Sequence, residues 1–273
     1  LTNEERVLLL QQEICGGLVE EDYPLGLSKV AGLAAAAMMA NERKEQLNKV
    51  EFLYRSTMME LTKTKYQIDE GWRRYLNVMN RTATHPYHSF MHIAEIIDTY
   101  REFKAHCSEA NTLDKKKGLS MPISVGLAVL FHDFCYSTTA SNNEEASVVE
   151  MKRHLQVILS DRLIDDLLEE AVAEAEEMIL STKSHSSSAI SPWGCLFLDL
   201  DVSILGSDEK RFSIYEEKIR KEYSSVPYDI FFLTRKEIMG QYANRAKRGV
   251  LFSNSVMNDW LSHQAIENLK KYL

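Results

Sequence analysis

The chain has 273 residues, enough for one large domain or two small ones with a sizeable core. Glycine and proline number only 11 and 5, which excludes a collagen-like chain, a linker-like disordered chain and a turn-rich β-sandwich. With 45% apolar and 26% charged residues the composition is globular, and a net charge of −8 sets up a field that repels polyanions, so nucleic acid as main partner is disfavoured.

Periodicity is helical along most of the chain. Residues 1–60 read as an N-terminal helical extension, with Leu18 to Ala40 rich in small apolar residues and suited to a partner-binding helix. Between 42 and 80, apolar residues such as Leu47, Val50, Tyr54, Met58, Leu61, Ile68, Trp72, Tyr75 and Met79 recur among charges, which predicts two amphipathic helices broken near Thr62 to Lys65. Pro86 suits a first helical turn, and Phe90, Ile93, Ile96, Ile97 and Tyr100 give the stretch to Lys104 an apolar face. Asn111 to Ser120 reads as a solvated loop. Ile123 to Tyr136 is nearly all apolar and long enough for a buried helix, with Asp133 where it emerges. A polar loop follows from Ser137, and Asn143 with Glu144 and Glu145 has the form of a helix cap and acidic first turn. Further helices are predicted to Leu155, over Asp161 to Leu180, Leu196 to Leu205, Glu209 to Tyr223, Ile230 to Ala246 and Asn258 to Leu273, with a loop at Ser184 to Pro192. No repeat and no strand pair is evident. The fold expected is all-α, helices packed round one core.

The cysteines, at 15, 107, 135 and 195, form no CxxC pair and fit a reducing, cytoplasmic compartment. The longest apolar run, Leu33 to Ala40, is far short of the ~20 residues a membrane helix needs, so no membrane partner is expected. Leu1 in place of Met leaves open a targeting segment removed upstream.

Three histidines, His85, His88 and His92, lie close together in sequence. On a helix His88, His92 and Glu95 would project from one face, and imidazole with carboxylate is the ligand set that borderline and hard divalent ions accept. His132-Asp133 stands at the end of an apolar run, where a hydrophobic wall meets solvent. Asp199 and Asp201 sit in the apolar segment Phe197 to Ile204, and a buried carboxylate there needs a charged partner. His106, His154 and His263 read as ordinary core or surface residues. The order His92, His132-Asp133, Asp201 in a helical chain points to a metal site.

That order resembles the signature of the HD superfamily of metal-dependent phosphohydrolases. Tyr87-His88-Ser89-Phe90-Met91-His92, Phe131-His132-Asp133-Phe134-Cys135-Tyr136, Asn143-Glu144-Glu145-Ala146-Ser147 and the run from Phe197 to Gly206 are similar to four motifs of one branch of predicted HD phosphohydrolases. Arg220, Glu222, Tyr223 and Arg235 also fall on its pattern. The likeness covers roughly 66 to 273, which implies an HD-type helical bundle over residues 61–273. Departures are Ser89 for Asn, Val202 for Leu and Gln264 for Glu; only Ser89 bears on the motif's hydrogen bonding.

The resemblance, extended to cyclic-nucleotide phosphodiesterases, implies His92, His132, Asp133 and Asp201 as metal ligands, His88 as the acid that protonates the leaving oxygen, and Asp133 as its catalytic companion. It implies Glu95 as the group orienting His92, Glu144 near a metal-bound water, and His185 as a second-metal ligand or phosphate contact. Asp199 is an alternative ligand to Asp201, and Lys183, Arg220 and Arg235 are candidate phosphate-binding cations. The cofactor implied is one or two divalent ions (Mn2+, Mg2+, Co2+, Fe2+ or Zn2+), and the partner a small, nucleotide-like phosphorylated substrate, with a homo-oligomer left open. Two alternatives stand beside hydrolysis: a mixed-valent di-iron oxygenase using His185 and His154 as extra ligands, and a binding or regulatory module that keeps the metal without turnover.

Overall fold

The computed structural model describes residues 29–62, 64–81, 85–110, 121–159, 166–185 and 190–273. Among them there is no strand. The described residues form ten α-helices, in order α1 (Lys29–Leu61), α2 (Lys65–Arg81), α3 (Phe90–Ala110), α4 (Ile123–Phe131), α5 (Asn143–Ile158), α6 (Asp166–Ser181), α7 (Pro192–Asp201), α8 (Glu209–Glu222), α9 (Tyr228–Lys247) and α10 (Ser255–Leu269). Short 3₁₀ turns at Ser203–Gly206 and Lys270–Tyr272 follow α7 and α10. No described helix is long and apolar enough to cross a membrane. The chain divides into two compact units, Leu1–Asn48 and Lys49–Leu273. Much of the first unit, the stretch 111–120 expected to be a loop, and residues 63, 82–84, 160–165 and 186–189 lie outside the described residues.

The second unit is built round α4, in which every residue from Ser124 to Phe131 is buried. A helix apolar on all sides has to be enclosed, and α3, α5, α6 and α7 enclose it. Beneath it Tyr54, Trp72, Tyr75, Phe131, Phe134 and His154 pack as one aromatic cluster. Its two tyrosine hydroxyls are matched: that of Tyr75 donates to the Leu130 carbonyl at 2.7 Å, and that of Tyr54 meets His154 Nε2 at 2.7 Å. Burial, with the charge of Arg74 nearby, holds the His154 imidazole down at about 4. The residues 49–60, placed in the extension by the sequence reading, supply Val50, Tyr54 and Met58 to this core.

Three predicted boundaries shift for identifiable reasons. The helix expected from Pro86 begins at Phe90: ahead of it the Ser89 N–H turns back to the Tyr87 carbonyl at 2.8 Å, and the N–H groups of Tyr87 and His88 go to the Glu222 carboxylate. The helix expected to reach Tyr136 stops at Phe131, and the chain turns so that Phe134 N–H donates to the Phe131 carbonyl at 3.1 Å. Asn143 is not the cap of α5 but lies inside it. Its side chain accepts from Ser137 N–H and donates to Ser137 O, both at 3.0 Å, closing the loop instead.

Candidate metal centre

Three helix ends converge on one point. His92 lies in the first turn of α3, His132 and Asp133 follow the last residue of α4, and Asp201 is the last residue of α7. Adjacent residues diverge on a regular helix, so the end of α4 is what lets both His132 and Asp133 face the same space. His92 Nε2 is 2.9 Å from Asp201 Oδ1 and 4.0 Å from Asp133 Oδ2. His132 Nε2 is 3.0 Å from Asp133 Oδ2 and 3.5 Å from Asp201 Oδ1. His92 and His132 are almost wholly buried.

This arrangement fits a cation. His132 Nδ1 lies 3.2 Å from the Val129 carbonyl, which accepts its N–H and leaves Nε2 to face two carboxylates. That buried Nε2 has no hydrogen-bond partner. A lone pair set against a carboxylate is repulsive unless positive charge lies between them, and either a proton or a shared metal ion supplies it. His92, His132 and Asp133 thus form a buried group whose ligand atoms are close enough to hold one ion. The electrostatics agree. Burial alone would lower the His132 imidazole, yet the Asp133 and Asp201 carboxylates lift it well above its usual value. Burial would raise both carboxyls, but the surrounding imidazoles hold them well below the carboxylate range.

The group opens on a cavity of about 1030 Å³. His88 is on its wall, but in the turn ahead of α3 and not on the helical face shared with His92 and Glu95 as the spacing predicts. Its Nδ1 is 2.6 Å from Oε2 of Glu222, a carboxylate with no side-chain exposure, and its ring stacks on Tyr136 at 3.9 Å. The other Glu222 oxygen accepts the N–H groups of Tyr87 and His88, at 2.6 and 2.8 Å. Burial works against the Glu222 charge, but His88 and these donors keep its carboxyl below the ordinary range. Glu144 lines the cavity. His185, in the turn after α6, places Nε2 3.0 Å from Asp201 Oδ2.

Other expected site residues are engaged elsewhere. Glu95 makes no hydrogen bond to His92, whose buried Nδ1 is without a partner, although both line a second cavity of about 200 Å³ together with Asp201, Thr99, Glu102 and Arg211. Asp199 is not an alternative ligand. One helical turn cannot aim residues 199 and 201 the same way, and Asp199 accepts the N–H groups of Ser253 at 2.9 Å and Asn254 at 2.7 Å, its carboxyl raised by burial to about 6. Arg220 is not among the residues lining the cavity. It donates to the carbonyls of Tyr223 and Val226 and lies over the Phe231 ring, fastening the end of α8. Arg235 does line the cavity, but its guanidinium is held by Glu216 at 2.6 Å. Lys183, also on the wall, pairs with Glu145 at 2.6 Å and donates to the Ser141 carbonyl. His154, a ligand in the di-iron alternative, is committed to Tyr54.

Residues of the site with no role assigned from sequence include Glu222, which holds His88, and Arg245, which lines the cavity and donates to the carbonyls of His185 and Leu251. Glu222 lies 134 residues from His88, so no local spacing could link them; its place in the resemblance pattern was the one signal. Arg245 gave none. Comparison of the chain with protein-family models, curated proteins and solved structures returns no match.

Proposed function

We propose that the chain is a metal-dependent phosphohydrolase that cleaves a phosphate mono- or diester of a small, nucleotide-like substrate. The observation that carries this is the convergence of His92, His132, Asp133 and Asp201 beside a histidine backed by a buried carboxylate, with His88, His92, Asp133 and Asp201 lining a cavity of about 1030 Å³. A divalent ion held by these four side chains supplies charge that lowers the pKa of water toward neutrality and stabilises a phosphate oxygen.

The chain's own residues supply the rest. Glu222 accepts a hydrogen bond from Nδ1–H of His88, so that His88 acting as the imidazolium carries its second proton on Nε2, passes that proton to the leaving oxygen and is left neutral. The Tyr136 ring fixes the plane of that imidazole and shields one face of it from water, and its hydroxyl is held at 3.1 Å by that of Tyr223. Arg235 and Lys183 stand on the wall of the cavity that would receive the phosphate, each already paired with a carboxylate at 2.6 Å. The cavity volume and the net charge of −8 suit a small phosphorylated molecule better than a nucleic-acid polymer.

Metal analysis of protein purified without added metal tests the site, with His132→Ala as control. Equal metal content in the two proteins sinks the assignment. A panel of nucleotides and generic phosphoesters with Mn2+, Mg2+, Co2+, Fe2+ or Zn2+ tests the reaction. Release of phosphate or nucleoside by the wild type and not by His132→Ala is the expected result; no cleavage of any member sinks hydrolysis.

A further inference from the structure

We propose that Arg245 is a positioning residue that holds His185 in a backbone conformation it would not keep alone, and so makes His185 part of the metal centre. The inference rests on reading the cluster round Asp201 as a metal site.

Among the described residues His185 is the one non-glycine with a left-handed backbone, at φ 47°. An L-residue with a Cβ adopts that region rarely, and stays there when its surroundings hold it. Three contacts do so here. The His185 N–H donates to the Ser181 carbonyl at 2.9 Å, prolonging the last turn of α6. The His185 carbonyl accepts from Arg245 Nη1 at 3.1 Å. The ring of Tyr242, one turn before Arg245 on α9, lies edge-on to the His185 imidazole with centroids 6.0 Å apart, and the Arg245 guanidinium sits 5.8 Å from that ring.

Arg245 is itself anchored. Its Nη2 donates to the Leu251 carbonyl at 3.2 Å, while its own backbone carbonyl accepts from Val250 N–H at 3.1 Å. Leu251 is fully buried, and just beyond it Ser253 and Asn254 are fastened to Asp199. One planar guanidinium therefore ties the His185 turn to a fixed stretch of chain through two divergent N–H groups. A lysine ammonium lacks that rigid fork. The consequence is where the imidazole points: Nε2 stands 3.0 Å from Asp201 Oδ2, while Asp201 Oδ1 faces His92 and His132. Asp201 thus presents one oxygen to each side, and the side occupied by His185 exists because Arg245 holds the turn.

The test is a double-mutant cycle on the full chain, with Arg245→Met, His185→Ala and the pair, read as Mn2+ affinity by calorimetry. Each single change is expected to weaken Mn2+ binding about 10-fold, the scale of losing a group that orients a ligand, and the pair no more than His185→Ala alone. Independent, multiplicative losses overturn the proposal. A second readout needs no metal: nuclear Overhauser contacts between the His185 and Tyr242 rings in metal-free protein, expected in the wild type and lost in Arg245→Met. Their persistence in the variant also overturns it. If Arg245→Met does not fold, Arg245→Lys takes its place, with the same expected losses. Wild type that binds no Mn2+ defeats the metal reading, and the ring contacts then decide the role of Arg245 by themselves.

Discussion

At the scale of single residues, charge and burial decide what each titratable group does. Glu222 is the clearest case: a carboxylate with no side-chain exposure is retained because it receives two backbone N–H groups and the His88 imidazole. Glu222→Gln keeps a carbonyl for the backbone donors but removes the acceptor of the His88 proton. It should lower kcat about 100-fold on the substrate found by the phosphoester panel, with KM changed little. A kcat within twofold of wild type removes His88 as the acid. His154 gives a pH prediction. Its imidazole is held at about 4 in the folded protein against about 6.5 unfolded, so the unfolded state takes up a proton first as pH falls. Its contribution to stability is complete above about pH 6.5 and is lost toward pH 4, about 3 kcal/mol in all. Asp199 acts oppositely in an overlapping range, since its carboxyl is raised to about 6 and its burial costs least at low pH. The wild-type profile is therefore flattened, and the informative quantity is a difference. His154→Phe should be less stable near neutrality, with the Tyr54 hydroxyl left unpartnered, but should lose less on going from pH 6.5 to pH 4 in urea melts. Equal losses in the two proteins contradict the buried neutral imidazole.

At the scale of elements, helix ends do the placing. Apolar character carries α4 to Phe131, and the turn that follows delivers His132 and Asp133 together. α7 starts on a capped first turn, with Ser191 Oγ accepting from Gly194 N–H, and ends on Asp201. The 3₁₀ turn Ser203–Gly206 then lies directly against α10. A Cβ on Gly206 would meet Leu261 Cβ at 2.6 Å and the Leu261 carbonyl at 2.8 Å, and a helix backbone does not yield as a side-chain tip does. Gly206→Ala should cost about 1–3 kcal/mol of stability in denaturant titration. No change would show that α10 packs less closely on this turn.

At the scale of the whole molecule, the centre joins α3, α4 and α7 with the turn after α6, so an ion bound there should stabilise the unit as a whole. At about a hundred times its Kd, a ligand of the folded state adds about 2.7 kcal/mol, which for a unit of this size raises Tm by roughly 5–10 °C. Mn2+ should give a shift of that order in the wild type, chelator should reverse it, and His132→Ala should show neither. A Tm indifferent to every divalent ion tried would contradict a metal centre linking these elements.

The helical class was legible in the sequence because periodicity is a local property: one face of each helix had to be apolar to be enclosed. The convergence of His92, His132, Asp133 and Asp201 was legible too, through residue type and order. The errors lay where a side chain's partner comes from far along the chain. Glu95 shares a cavity with His92 but makes no hydrogen bond to it, Asp199 had the right chemistry and the wrong direction, Arg220 serves a helix end, and Glu222 and Arg245 reach His88 and His185 across 134 and 60 residues. Sequence fixes which groups are available and how each helix buries itself. Which carboxylate faces an imidazole, and which faces a backbone N–H, is decided only when helix ends meet, because direction at a terminus depends on the neighbour that takes up its unpaired groups.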